Sequence, residues 1–329
     1  MKTRGRGVRF FLTNEFGLLA LLILFGLIFS LATPGFASPF NLFTLGRTMS
    51  IDIMIGFAMM AVIVTGGLNL AVGAIGVSSA MACGWLIERA GVPLPLAILG
   101  ALAFGAFLGA INGALIVKSG LHSFIITLAT MSIFFGLMIY LTHAQAFREL
   151  PPEFLQFGKL KLFGNLSALL FLAAAISVLM SVLYRFTALG RQMLAAGANA
   201  AAAELSGVRV GRVYTICHAL SGALAALAAM MVMARNGAAI PSMAGHLGQD
   251  WLLPAFLGPV LGGTLLSGGR VSALGTFLGA ALVTMLTNGL LQLRVGEFWI
   301  QTTLGVILLI AVLLDLARRS FLSQRTLAS

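Results

Sequence analysis

The sequence predicts an all-α integral membrane protein, a polytopic bundle of about ten transmembrane helices with both termini in the cytoplasm. Three observations predict it. Of the 329 residues 60% are hydrophobic and only 9% charged, with a mean hydropathy of +1.05, whereas soluble domains carry about 25% charged residues. The apolar residues form long runs, as at 16–32 and 169–184, and not the alternation that a membrane barrel needs. The length holds about nine to eleven spans of about 20 residues with short connections, leaving no stretch for a soluble domain.

Taken in order, the apolar runs place helices near 16–32, 48–65, 74–88, 96–117, 124–142, 166–184, 213–233, 251–265, 272–293 and 298–315. The first follows a basic start with Lys2, Arg4, Arg6 and Arg9, which resembles a secretory signal. Pro34 and Pro39, beside the large Phe36 and Phe40, suit an interfacial loop better than a cleavage site, so this helix reads as an anchor. Alternating the spans from a cytoplasmic 1–15 puts Lys118, Arg185, Arg191, Arg209, Arg212, Arg270, Arg318, Arg319 and Arg325 on the same face as the four N-terminal cations. Thirteen of the 20 basic residues then lie inside, as the positive-inside rule asks, and the tail 316–329 returns to the cytoplasm.

Two stretches are not ordinary spans. In 64–76, VTGGLNLAVGAIG, the glycines Gly66, Gly67, Gly73 and Gly76 surround the single amide of Asn69. Such density either breaks a helix at membrane depth, tolerated where protein or a water-filled cavity satisfies the backbone, or makes a tight hairpin between two helices. In 184–212 the longest charge-free run, 192–203, has 12 residues and is too short to span. Its alanines favour helix and its glycines punctuate it, so it reads as one or two short helices on the cytoplasmic surface, either a partner's docking site or a plain surface connector. Small positions such as Gly197 and Ala202 are expected there to accept a bulky charge without unfolding the membrane domain.

The residue supply for catalysis is thin. Nine carboxylates are present and only Asp52 falls clearly inside a span, where it either faces a cavity or reaches the interface. His122, His143, His218 and His246 fall in separate segments, and Cys83 and Cys217 read as buried small hydrophobes. Val117 stands where a phosphate loop needs Gly before the Lys118-Ser119 pair. The basic residues are scattered without aromatic interleaving, which argues against nucleic acid. What remains are uncharged polar groups in apolar segments, among them Asn69, Asn112, Thr127, Thr130, Ser221, Thr284 and Asn288. These suit a path for a neutral, hydroxyl-rich solute, or else serve as hydrogen-bonding glue between helices. Asn69, Thr127, Thr130 and Asn288 are the path candidates. The GxxxG pairs Gly105/Gly109 and Gly275/Gly279 read as close-packing surfaces.

At GGLNLAVG (66–73), FIITLATMSIFFGL (124–137), AGANAAAAELSGV (196–208), LGGTLLSGG (261–269) and GTFLGAALVTMLTNGLLQL (275–293), the chain resembles the ribose, xylose and arabinose branch of bacterial ABC importer permeases. The likeness runs from about 42 to 315 in the family's order. It implies one permease domain, 1–329, in the bacterial inner membrane, importing a monosaccharide such as a ribose-like pentose. It implies as partners an ABC ATPase that holds the ATP and Mg, a second permease subunit and a periplasmic sugar-binding protein, with no cofactor or catalytic site on this chain. Gly66, Gly67 and Gly73 match the family's embedded motif. Gly197, Asn199, Ala202, Leu205, Ser206 and Gly207 match its cytoplasmic GxNxxAxxLSG segment, which implies that 185–212 couples to the ATPase. Asn69 stands where the family commonly has Asp, and Glu204 where it has Arg, a reversal at the implied ATPase contact. The same importer class acting on a nucleoside, a branched-chain amino acid or a signalling sugar is the alternative. An ion-coupled carrier would need intramembrane charges that are scarce here.

Overall fold

A computed structural model describes residues 14–296, 298–310 and 313; the expected cytoplasmic start before residue 14 and the tail 316–329 lie outside the described residues. Each predicted helix overlaps an observed one. They are α1 (Asn14–Ala32), α2 (Pro39–Ile63), α3 (Val72–Glu88), α4 (Leu94–Ser119) and α5 (Ser123–Thr142). After an outer excursion come α7 (Ala168–Phe186), α10 (Val210–Asn236), α11 (Leu252–Leu261), α12 (Ala273–Gln292) and α13 (Phe298–Ile310). Among the described residues seven are long and apolar enough to cross a membrane; α3, α11 and α13 are shorter.

Local chemistry sets the ends. Ser38 accepts from the Asn41 amide and Pro39 opens α2, which therefore begins well before the expected residue 48. Arg47 lies inside this helix and not at its boundary. Its guanidinium donates to the Arg235 carbonyl at 2.8 Å and packs over the Phe43 ring, so the charge is accommodated without ending the helix. Gly120 and Gly237, both at positive φ, close α4 and α10. Gly262 ends α11 four residues before the expected limit, and Gly263 turns the chain at φ +82°.

The bundle is layered. Within the apolar window of α2, 83% of residues are buried, against 11% for α1; with α10, α2 forms the centre, while α1, α4, α5, α7 and α13 carry exposed leucines, isoleucines and phenylalanines outward. In a chain this apolar, that outer face is the lipid-facing one. The helices approach through glycines. A Cβ on Gly109 would overlap the His218 carbonyl and one on Gly222 that of Gly105, seating α4 on α10. Gly275 and Gly279 likewise press on Gly262 and Gly258, joining α12 to α11. Both expected GxxxG surfaces therefore pack backbone to backbone.

Between α5 and α7 the chain forms a short amphipathic helix α6 (Pro152–Lys159) and a two-residue hairpin, β1 (Lys161–Leu162) with β2 (Leu166–Ser167). This is the one departure from an all-helical reading among the described residues. Phe163 and Gly164 take positive φ at its tip, which the residue pattern did not announce. Between α7 and α10 lie two short helices, α8 (Ala188–Ala198) and α9 (Ala200–Leu205). A 3-10 turn, His246–Trp251, precedes α11.

Candidate functional site

The helical ladder of α2 ends at Ile63, and residues 67–69 are not helical before α3 starts at Val72. The chain therefore leaves the helix at the clustered glycines, and its amides must find other partners. They do so on α5: the Leu68 N–H donates to Ser123 Oγ at 2.8 Å and the Leu70 N–H to Thr127 Oγ1 at 3.1 Å. Thr127 in turn donates to the Ser123 carbonyl at 2.7 Å. Asn69 is fully buried. Its Nδ2 donates to Ser221 Oγ on α10 at 3.0 Å, and its Oδ1 accepts from the Ala71 N–H at 3.1 Å. The amide thus ties the broken backbone to the central helix while sealing it from open space.

Thr130 stands one turn beyond Thr127, buried, with its hydroxyl on the Ile126 carbonyl at 3.0 Å. Asn288 is elsewhere. It forms a reciprocal amide pair with Asn41, at 3.0 and 3.1 Å, near the start of α2, so the 25-residue helix, about 37 Å long, separates it from Asn69. The structure brings the Asn69 segment onto Thr127, leaves Thr130 bonded within α5, and sets Asn288 apart as a helix-to-helix tie. Thr284 Oγ1 donates to the Asp52 carboxylate at 2.7 Å, joining α2 to α12.

A second broken segment meets the first. The Gly269 N–H donates to the Val64 carbonyl at 2.9 Å, and a Cβ on Gly66 would stand 3.1 Å from the Ser267 carbonyl. Gly197, at the end of α8, sits in the same junction: a Cβ there would overlap the Val64 carbonyl and come within 2.6 Å of the Gly269 nitrogen. Three backbone segments from distant parts of the chain touch at glycines. Gly73 makes a comparable contact with Gly248 of the 3-10 turn. The expectation that Gly197 accepts a bulky charge is therefore corrected, because the position has no room for any side chain.

The remaining residues of 199–207 divide by direction. Asn199 caps α9, accepting from the Ala202 N–H at 3.0 Å, and the Ser206 hydroxyl donates to the Ala202 carbonyl at 2.9 Å. Gly207 closes the turn at φ +84° in open space. Ala202, Glu204 and Leu205 point outward, and Leu205 is 92% exposed. This leucine stands uncovered on a six-residue helix. The residue pattern flagged Ser221 but missed Ser123, whose role lies in a contact with a segment 55 residues away.

The comparisons bear on this geometry. Residues 40–314 match the family described as branched-chain amino acid transport system / permease component. The ribose import permease protein RbsC of Bacillus subtilis is 39% identical over 292 residues, 88% of each chain. The D-allose transport system permease protein AlsC of Escherichia coli is 30% identical over 303 residues, 92% of this chain and 90% of that one. The autoinducer 2 import system permease protein LsrD of Photorhabdus laumondii is 30% identical over 305 residues, 91% of this chain and 90% of that one. No solved structure matches the chain significantly.

Proposed function

This chain belongs to the branched-chain amino acid transport system / permease component family, and from that membership we propose that it is the membrane subunit of an ABC importer for a monosaccharide. The relatives named for ribose and D-allose import support a sugar. The relative named for autoinducer 2 import favours, as a second reading, another small solute carried by the same machinery. In this reading the chain is a multi-pass protein of the bacterial inner membrane with about ten spans and cytoplasmic ends. It pairs with a second permease subunit, receives solute from a periplasmic sugar-binding protein, and is driven by an ATPase that holds the ATP and Mg.

One observation carries the mechanism: Gly197, at the end of α8, is wedged against Val64 and Gly269, where both broken segments meet. The outward Ala202, Glu204 and Leu205 of α9 are the ATPase contact. A displacement of α9 by the ATPase passes through Gly197 to the Val64–Gly269 bond, and from there along five residues to Asn69 and its seal on Ser221. Packed backbones transmit such a movement because they are stiff and two-state, not compliant. ATP binding shifts the access state by its different affinity for the two arrangements. The solute path then opens beside Asn69, Thr127 and Thr130, whose amide and hydroxyls can exchange partners with sugar hydroxyls.

The test is reconstituted transporter, with ribose- and allose-stimulated ATP hydrolysis and uptake measured for Leu205→Asp against the parent. The reading expects normal insertion with loss of both ATPase co-purification and stimulated hydrolysis. Unchanged co-purification and hydrolysis would remove α9 from the energy-transfer path.

A further inference from the structure

Where α8 and the start of α10 diverge, a cavity of about 420 Å³ opens. Its lining has two characters: Gln192, Arg209 and Arg212 are polar or cationic, and Leu189, Val213 and Ile216 are apolar. Among the described residues no hydrogen bond or ion pair engages the side chains of Gln192, Arg209 or Arg212. Arg209 and Arg212 both stand exposed at this mouth, and two cations on one lining favour an anion between them. Guanidinium forks match phosphate oxygens in pairs. Val213 and Ile216 belong to the first turns of α10, a helix long and apolar enough to cross a membrane. The cavity therefore sits at the end of a span, the level at which anionic headgroups meet cationic side chains in a membrane protein.

We infer that this cavity binds an anionic phospholipid, its phosphate on Arg209 and Arg212 and its first methylenes against Leu189, Val213 and Ile216. A soluble anion satisfies only the cationic half of the lining, and an acidic protein side chain leaves the apolar half wet. An amphiphile with a charged head satisfies both. The cavity also includes Gly207, the turn that closes α9. Lipid occupancy thereby sets the stance of α9, a consequence that rests on the ATPase-docking reading above; the binding itself does not.

The experiment uses the full chain in detergent, titrated with phosphatidylglycerol or phosphatidylcholine and read by native mass spectrometry. Phosphatidylglycerol should be retained over phosphatidylcholine. Arg209→Gln should weaken that retention about fivefold and the Arg209→Gln/Arg212→Gln pair about 30-fold, while Arg209→Lys/Arg212→Lys keeps most of it. Equal retention of the two lipids, or unchanged phosphatidylglycerol binding in the Gln pair, overturns the proposal. So does full displacement by inorganic phosphate, which would make the cavity a free-anion site. Loss of the ATPase from the Gln pair with lipid retention unchanged would make it a protein contact and also overturns it. Leu205→Asp reports on docking alone, so failure of that reading leaves the lipid result standing.

Discussion

Asn69 carries more of the architecture than its size suggests. Its side chain holds the Ala71 N–H and the Ser221 hydroxyl at once, and a buried group stripped of its partner costs about 1–3 kcal/mol. Asn69→Leu strips two. We therefore expect this variant to lose uptake together with some membrane abundance, which fluorescence-detected gel filtration would show as a lower melting temperature. Asn69→Asp should behave differently. Its carboxylate still accepts from Ala71, and the Ser221 hydroxyl can rotate to donate, so near-parental melting is the expected outcome. A melting temperature for Asp as low as that for Leu would show that the Nδ2 donor, and not the acceptor, holds the break.

At the scale of elements, α8 and α9 are neighbours with opposite duties. The end of α8 is backbone against backbone: Gly197→Ala forces a Cβ into the Val64 carbonyl, and such overpacking costs about 1–3 kcal/mol. Its expected signature is a lower melting temperature together with weaker ATPase association. Changes on α9 should separate these two readings. Ala202→Asp touches an exposed face, so it should leave melting within the noise of the parent while reducing ATPase co-purification. Glu204→Arg should shift preference between ATPase subunits more than it shifts melting, because a charge at a docking rim chooses partners before it sets stability. If Ala202→Asp melts as low as Gly197→Ala, α9 is a structural element and the division fails.

Across the described residues, the central pair α2 and α10 is enclosed by helices whose outer faces are apolar. Reporter fusions after Phe16 and after Arg319 should both score cytoplasmic if ten alternating spans gather thirteen of the 20 cations on one face, as the sequence reading expects. A periplasmic score at either would break the ten-span arrangement. The short α3, α11 and α13 are where that arrangement is most exposed to failure. The first two border the broken segments, so their lost length is the counterpart of the breaks at 67–69 and 262–263.

Composition and apolar runs were enough by themselves to determine a helical membrane bundle and the order of its helices, and the clustered glycines marked 64–76 as no ordinary span. Each of these follows from near-neighbour chemistry: burial of a run and loss of helix at clustered glycines. Spacing also marked 185–212 as non-spanning. Only the tertiary structure decided that Gly197 faces inward, that Asn288 pairs with Asn41 and not with Asn69, and that Val64, Gly197 and Gly269 meet. A glycine looks the same in sequence whether its missing Cβ makes room for a turn, a partner helix or nothing at all. Which of these applies depends on the atoms that chain folding brings within a few ångströms, and those can lie far off in sequence, as Asn41 and Asn288 do at 247 residues apart.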